Sequence, residues 1–308
     1  MTRMDKRIFT AAADDNDRRI DRVVRKFLPA IPLSGIYSAL RKKRILLNDG
    51  KALPSARVHA GDRIAIDTSL LDTPLNRRKP GPAEGLPVVV FEGTNVIAVN
   101  KPRGISVHGE HSLERMVFSY LEPTMRRSLS FSPGPLHRLD RNTSGLIFFG
   151  RSLEGARRFS ELLGGRNSGK YYIGLFDGVI TDFTRLSSPV DGKKALSFLY
   201  PLASGGDSTL GCVRIITGRK HQIRLQAAEA GHPLTGDAAY GGSAERGGYL
   251  LHSYAFVLSR FDDIMGFREC RAPLPGESEE RLKTVFGPRV ITEFPRAIDD
   301  IILKNHPL

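Results

Sequence analysis

Hydrophobic positions in the first quarter of the chain recur first at helical spacing and then in short extended runs. The apolar residues within 20–28 fall three or four positions apart and predict a first helix. A second helix, capped by Ser34, is predicted to carry its apolar residues on one side. Strands are predicted over residues 45–48 and 63–67. This pattern predicts a small unit of α/β type.

From residue 88 onward, short apolar runs alternate with amphipathic segments. Strands are predicted over residues 88–91, 95–99, 145–149, 170–176, 212–217 and 250–256. Helices are predicted over residues 113–121, 153–163 and 220–230. Such a mixture is typical of an α+β protein.

Two segments without periodicity predict the limits of the domains. Residues 71–87 are rich in Pro, Gly, Arg and Lys, which predicts a linker. Residues 1–17 are polar and are predicted to form a flexible tail. We therefore expect an N-terminal domain over residues 18–70 and a larger domain over residues 88–308.

The charge of the chain is strongly positive and unevenly distributed. The formal net charge is +13, and residues 18–79 hold 15 basic and 5 acidic residues, a net of +10. The rest of the chain therefore carries only +3. Lysine and arginine neutralise phosphates and release their counterions, so the N-terminal domain is predicted to bind a nucleic acid.

The remaining composition argues against several classes of protein. No run of about 18 apolar residues suggests a membrane span, and the polar N-terminal stretch does not suggest a secretory segment. The two cysteines, Cys212 and Cys270, are far apart and show no metal-ligand spacing. No glycine-rich nucleotide loop is present. We expect a cytoplasmic protein without a metal or an organic cofactor.

The candidate for chemistry is Asp140, in the segment LHRLDRNTSGLIFFGRS at residues 136–152. It lies between Arg138 and Arg141, and nearby cations favour an ionised carboxylate. From the residues alone, Asp140 could be a nucleophile, a general base or a member of a structural ion pair.

The stretch over residues 18–67 resembles the S-four domain, a small RNA-binding module. Its second predicted helix ends in four consecutive cations, Arg41, Lys42, Lys43 and Arg44. RNA helices are recognised largely by shape and phosphate position, which suits such a cluster. The alternative is a basic face that serves only solubility.

The larger domain resembles the RluA family of pseudouridine synthases. The segment HRLDRNTSG at residues 137–145 is similar to the family signature HRLDxxTSG. Four further blocks occur in the order of the family, with Gly174 in place of the usual alanine: NKPRGISVHG (100–109), KYYIGLFDG (170–178), TGRKHQIRLQ (217–226) and GHPLTGDAAYGG (231–242).

The resemblance implies a role for individual residues. Asp140 corresponds to the nucleophile of the family, and Tyr172 to the ring that packs against the target base. Arg224 corresponds to the arginine that pairs with the catalytic carboxylate and keeps it ionised. Arg138, Arg219 and Lys220 are predicted to bind RNA. The implied fold is a mixed, mostly antiparallel sheet with flanking helices.

The implied activity is the isomerisation of uridine to pseudouridine in RNA. The pairing of this domain with an S-four-like domain looks most like the RluC and RluD groups, which suggests large-subunit (23S) ribosomal RNA as the substrate. Transfer RNA is an alternative substrate, and a catalytically silent ribosome-assembly factor is an alternative function. A hydrolase with two carboxylates is disfavoured because only Asp140 lies in a catalytic block. We expect a monomer.

Overall fold

The computed structural model describes residues 5–71, 85–124, 128–165 and 167–306. The strands are β1 (Lys6–Thr10), β2 (Arg18–Arg19), β3 (Ile45–Leu47), β4 (Arg57–Val58), β5 (Arg63–Asp67), β6 (Val88–Glu92), β7 (Val96–Lys101), β8 (Gly134–Pro135), β9 (Ser144–Gly150), β10 (Ser168–Asp177), β11 (Thr184–Leu186), β12 (Ser197–Gly205), β13 (Ser208–Ile215), β14 (Leu251–Asp262) and β15 (Phe267–Arg271). The helices are α1 (Ile20–Phe27), α2 (Leu33–Arg41), α3 (Thr68–Leu71), α4 (Leu113–Leu121), α5 (Leu153–Gly164), α6 (Gln222–Glu229), α7 (Gly276–Phe286) and α8 (Val290–Asn305).

The N-terminal module, defined here as residues 5–71, has its own apolar core. Helices α1 and α2 pack on an antiparallel sheet of strand order β1-β5-β3. Ile20, Val24 and Leu40 are fully buried between them. The two predicted helices and both predicted strands are confirmed, but Ser34 is not the cap of α2, because the helix begins at Leu33 after Pro32. The resemblance to the S-four domain stays a prediction.

The prediction of a flexible tail over residues 1–17 is wrong for the described part of that segment. Lys6–Thr10 forms β1 and pairs along its whole length with β5. The ring of Phe9 packs edge-on against Phe27, with ring centroids 4.7 Å apart. Polar composition hid this strand, because an edge strand buries few of its side chains. The linker predicted over residues 71–87 falls largely on residues 72–84, which lie outside the described residues.

The larger domain is built on a sheet that contains ten strands in the described residues. The strand order is β11-β12-β13-β10-β14-β9-β7-β6, with β15 added to β14 and β8 added to β9. Every pairing is antiparallel except that of β9 with β14. The predicted mixed, mostly antiparallel sheet with flanking helices is therefore confirmed.

The two faces of the sheet pack against different helices. Alternate residues of a strand point to opposite faces, so Tyr172 joins the core beneath α4 and α6, and Tyr171 joins the core beneath α7 and α8. The predictions omitted α7 and α8, as well as β12. Among the described residues, no helix is long and apolar enough to cross a bilayer.

The parallel pair at the centre of the sheet requires a glycine. Gly145 pairs with Ser253 and has a φ of +107°, a backbone conformation that residues other than glycine rarely adopt. A Cβ on Gly145 would also lie 2.6 Å from the backbone nitrogen of Ser253. The glycine of the HRLDRNTSG segment therefore allows β9 to approach β14 close to its first residue, Ser144, four residues after Asp140.

A buried carboxylate joins the N-terminal module to the larger domain. The side chain of Asp15 is fully buried and accepts hydrogen bonds from the backbone nitrogens of Leu129 (3.0 Å) and Ser130 (2.7 Å) and from the Ser128 hydroxyl (3.0 Å). Burial raises the pKa of Asp15, but these hydrogen bonds outweigh it and hold the pKa below the usual value of 3.8. The junction is therefore stabilised by the ionised form.

We expect Asp15→Ala to lower the free energy of unfolding by about 2–4 kcal/mol at pH 7, because buried amides lose a charged acceptor. A carboxyl whose pKa is depressed by folding stabilises the protein above its unfolded pKa, and this contribution is lost as the pH falls. The difference between wild type and variant should therefore shrink below about pH 4. Urea unfolding at several pH values measures it, and a difference that stays constant down to pH 3 would contradict this role.

Candidate active site

Asp140 lies in the loop between β8 and β9, at the floor of a cleft of about 460 Å³. Its side chain is 17% exposed, and its carbonyl accepts a hydrogen bond from the backbone nitrogen of Thr143 (3.1 Å). His137, three residues earlier, accepts a bond from the backbone nitrogen of Phe148 (3.1 Å), and burial lowers the pKa of His137 to about 3. His137 is thus a neutral structural group that fixes the loop to β9.

A buried lysine supports the loop from behind. The ammonium group of Lys101 is fully buried and donates to the carbonyls of Pro102, Ile105 and Arg141 at 2.8–2.9 Å. Burial lowers the pKa of Lys101 to about 8, against the opposing charge of Asp140. Lys101 is therefore charged at neutral pH. Lys101 is the lysine of the NKPRGISVHG block, but no role was predicted for it from the sequence.

Arg224, on α6, contacts Asp140 but makes its shortest bonds elsewhere. Its Nη1 lies 3.8 Å from a carboxylate oxygen of Asp140, whereas Nε and Nη2 donate to the two oxygens of Asp237 at 2.6 and 2.7 Å. The guanidinium also lies 4.7 and 4.5 Å from the ring centroids of Tyr240 and Tyr249. The expected pairing with Asp140 is therefore a looser contact, made by an arginine whose position is set by other groups.

Asp237 is a site residue that the sequence analysis missed. Its side chain is 2% exposed, and that of Arg224 is 9% exposed. Burial alone would lower the pKa of Arg224, but the hydrogen bonds and charge of Asp237 raise it. The available signal was the acid within GHPLTGDAAYGG, one of the blocks that resemble the family.

His221 supplies a second nitrogen near the carboxylate. Its Nε2 lies 3.6 Å from Asp140, and its Nδ1 lies 2.7 Å from the Tyr240 hydroxyl. Burial lowers the pKa of His221, and the charge of Asp140 opposes that shift. His221 has a φ of +56°, and this left-handed backbone at the start of α6 places the ring beside Asp140.

Tyr172, on β10, also lines the cleft. Burial and the charge of Asp140 raise the pKa of Tyr172 to about 12, while a hydrogen bond with Ser253 opposes the shift. The phenol is therefore neutral at pH 7. Two residues on, a Cβ on Gly174 would lie 2.9 Å from the Phe176 ring, which explains why this chain has glycine rather than alanine there.

The predicted RNA-binding residues fall in two places. Arg138, Arg219 and Lys220 are exposed and line the mouth of the cleft. The other four lie at the end of α2, where Arg41, Lys42 and Lys43 are exposed. Arg44 differs, because its guanidinium donates to Asp67 (3.0 Å) and Ser69 (2.6 Å). Arg44 is therefore held within the module.

The fold defines the class of protein. Two solved human structures share it, RNA pseudouridylate synthase domain containing 1 and domain containing 4. The first has a TM-score of 0.56 at 21% identity and covers 75% of this chain and 98% of its own. The second has a TM-score of 0.52 at 19% identity and covers 63% of this chain and 91% of its own. The sheet that carries Asp140 is thus a pseudouridine synthase fold.

Sequence comparisons indicate the same class of protein as the fold. A family model described as RNA pseudouridylate synthase matches residues 95–229. The ribosomal large subunit pseudouridine synthase C of Haemophilus influenzae is 28% identical over 256 residues, which cover 76% of this chain and 79% of that protein. The enzyme of the same name from Buchnera aphidicola is 28% identical over 249 residues, covering 73% and 77%. In sequence as well as in fold, the chain is therefore similar to RNA pseudouridine synthases, as its resemblance to the RluA family predicts.

Proposed function

We propose that this pseudouridine synthase modifies specific uridines of large-subunit (23S) ribosomal RNA and that Asp140 is its nucleophile. The relatives named as large-subunit synthases support the substrate. The observation that carries the assignment of Asp140 is its position in the cleft, where Arg224 and His221 face its carboxylate. Cationic and hydrogen-bonding neighbours favour the ionised form that a nucleophile requires.

The composition of the cleft supports an isomerase over a hydrolase. Among the described residues that line it, Asp140 is the only acid. Glycoside hydrolysis requires a second carboxyl group across the scissile bond, and the nearby Asp237 is committed to Arg224. One carboxylate is sufficient for the isomerisation.

In the isomerisation, the bond between nitrogen 1 of uracil and the anomeric carbon breaks and the base turns. Carbon 5 then bonds to the anomeric carbon and loses its proton, and nitrogen 1 gains a proton, so that no atom is lost overall. Asp140 can act by attack on the anomeric carbon, by addition to the uracil ring, or by removal of a ribose proton. Tyr172 would provide a neutral aromatic face for the uracil ring. The target must first be flipped out of the RNA stack into the cleft.

The exposed cations define two contact regions for the RNA. Arg138, Arg219 and Lys220 would hold the RNA backbone at the mouth of the cleft. The basic end of α2 would contact a more distant helix of the RNA. We further propose that the chain acts as a monomer, because one chain supplies every residue proposed for catalysis. We also propose that it acts in the cytoplasm, as its proposed substrate, ribosomal RNA, requires.

Tritium release tests the proposed function. Large-subunit ribosomal RNA and transfer RNA, each transcribed with uridine labelled at carbon 5, are incubated with the wild-type protein. We expect release from the ribosomal RNA, because carbon 5 loses its hydrogen when the new bond forms. Release only from transfer RNA would show that transfer RNA, and not ribosomal RNA, is the substrate. Release from neither RNA, by a protein that binds both, would favour the silent assembly factor.

We expect Gln substitution of Arg41, Lys42 and Lys43 together to weaken binding of ribosomal RNA and to flatten its salt dependence. The logarithmic slope should fall by about 0.7–0.9 for each phosphate that is no longer neutralised. A control with the same change of charge replaces Arg289, Arg296 and Lys304, which are exposed on or beside α8. Equal slopes for the two triple variants, measured by fluorescence anisotropy, would exclude the basic end of α2 as an RNA-binding surface.

A further inference from the structure

A second pocket of about 280 Å³ borders the segment that follows Asp140. Asn142 and Ser144, from the HRLDRNTSG segment, form one wall. Leu251 lines both this pocket and the active-site cleft. Three arginines converge on the pocket, and we call it the arginine pocket: Arg103, Arg246 and Arg281.

The backbone holds two of these arginines side by side. Arg103 donates to the carbonyl of Tyr249 (2.7 Å), and Arg281 donates to the carbonyl of the preceding residue, Gly248 (2.7 Å). Gly248 has a φ of +73°, and a Cβ there would collide with the guanidinium of Arg103. Glycine at this position therefore permits the close approach of the arginine to the loop, and the geometry is a built feature of the fold.

The positive charge of the arginine pocket is incompletely neutralised. Burial lowers the pKa of Arg281, and the charge of Arg103 adds to this shift, while the carboxylates of Glu245 and Asp177 oppose it without reversing it. Its Nε is buried without a hydrogen-bond partner among the described residues, and its nearest carboxylate, on Glu245, is 3.8 Å away. Arg246 is exposed at the rim, as is the acid Glu277. Like charges held together in this way favour the binding of an anion.

We propose that the arginine pocket binds a backbone phosphate of the RNA strand that carries the target uridine. This inference rests on the proposed function. Guanidinium groups present planar sets of donors that match phosphate oxygens, and the exposed amide of Asn142 adds a further donor. Because neighbouring residues of the segment 140–144 line the cleft and the pocket, a strand with its uridine in the cleft can place a nearby phosphate in the pocket. Held in the pocket as well as in the cleft, the ribose stays in place while the free base turns.

The test compares Arg246→Gln with Arg260→Gln in the full chain. Both arginines are exposed, but Arg260 lies near the opposite end of β14 from Leu251. We expect Arg246→Gln to raise the Kd and the KM for a ribosomal RNA fragment several-fold and to reduce the salt slope of binding by about 0.7–0.9, as when one phosphate is no longer neutralised. Arg260→Gln should match the wild type. Arg281→Gln should repeat the effect of Arg246→Gln, provided that its melting temperature shows a folded protein.

Two results would overturn the proposal. One is the same salt slope for Arg246→Gln, Arg281→Gln and Arg260→Gln. The other is that inorganic phosphate raises the melting temperature of the wild type but not that of Arg246→Gln, while the two proteins bind RNA equally well. The pocket would then bind free phosphate rather than RNA. Tritium release by the wild type separates these outcomes from failure of the proposed function. If the wild type releases tritium and the salt slopes are equal, only the proposed role of the arginine pocket is wrong.

Discussion

Replacing Asp140 with Ala should abolish pseudouridine formation while leaving the affinity for ribosomal RNA close to that of wild type. Asp140 is the only acid among the described residues of the cleft, so no other carboxylate there can take over its part. We expect kcat to fall by at least about 10⁴-fold, as for the loss of a nucleophile. The cations that would hold the RNA are separate residues and remain in place.

Two control variants make this result specific to the carboxylate. Asp140→Asn retains the shape of the side chain but removes its charge and should be as inactive as Asp140→Ala. Asp263→Ala removes an exposed carboxylate in the turn between β14 and β15, outside the residues that line the cleft, and should retain wild-type kcat. Tritium release measures turnover and anisotropy measures binding. Turnover by Asp140→Ala within about tenfold of wild type would remove Asp140 from the role of nucleophile.

Replacing Arg224 with Met should lower both stability and turnover. The substitution leaves Asp237 buried without its partner, and breaking a buried ion pair in this way costs about 3–5 kcal/mol. It also removes the positive charge 3.8 Å from Asp140. We therefore expect a lower urea midpoint and a loss of kcat that persists at temperatures where the variant is fully folded.

A remote ion pair separates the structural effect from the catalytic one. Arg158 bonds to Asp262 at 2.7 Å, but its side chain is about one-third exposed and lies outside the cleft. Because Asp262 is buried but keeps a hydrogen bond from the backbone nitrogen of Met265 (3.0 Å), Arg158→Met should cost less than Arg224→Met, about 1–2 kcal/mol, and leave kcat unchanged. If Arg224→Met were as stable as Arg158→Met, the proposed dependence of Asp237 on Arg224 would be wrong. A folded Arg224→Met with wild-type kcat would remove Arg224 from the catalytic group.

Local signals in the sequence identified much of the fold and the centre of the cleft. Helix α4 has the predicted bounds, and each predicted strand of the larger domain overlaps an observed strand. These elements follow from apolar periodicity, which is a property of neighbouring residues. Asp140, Tyr172 and Arg224 were singled out because they stand in short motifs, and all three line one cleft.

The tertiary structure alone decided how these residues are held. Nothing in the sequence indicated that Arg224 would bond most closely to Asp237, that Lys101 would support the loop of Asp140, or that Asp15 would join the N-terminal module to residues 128–130. Each of these interactions depends on which segments the folded sheet brings together, and on polar groups that must find partners once water is excluded. Spacing along the chain records neither condition, so charges and hydrogen bonds between distant segments emerge only when the chain is folded.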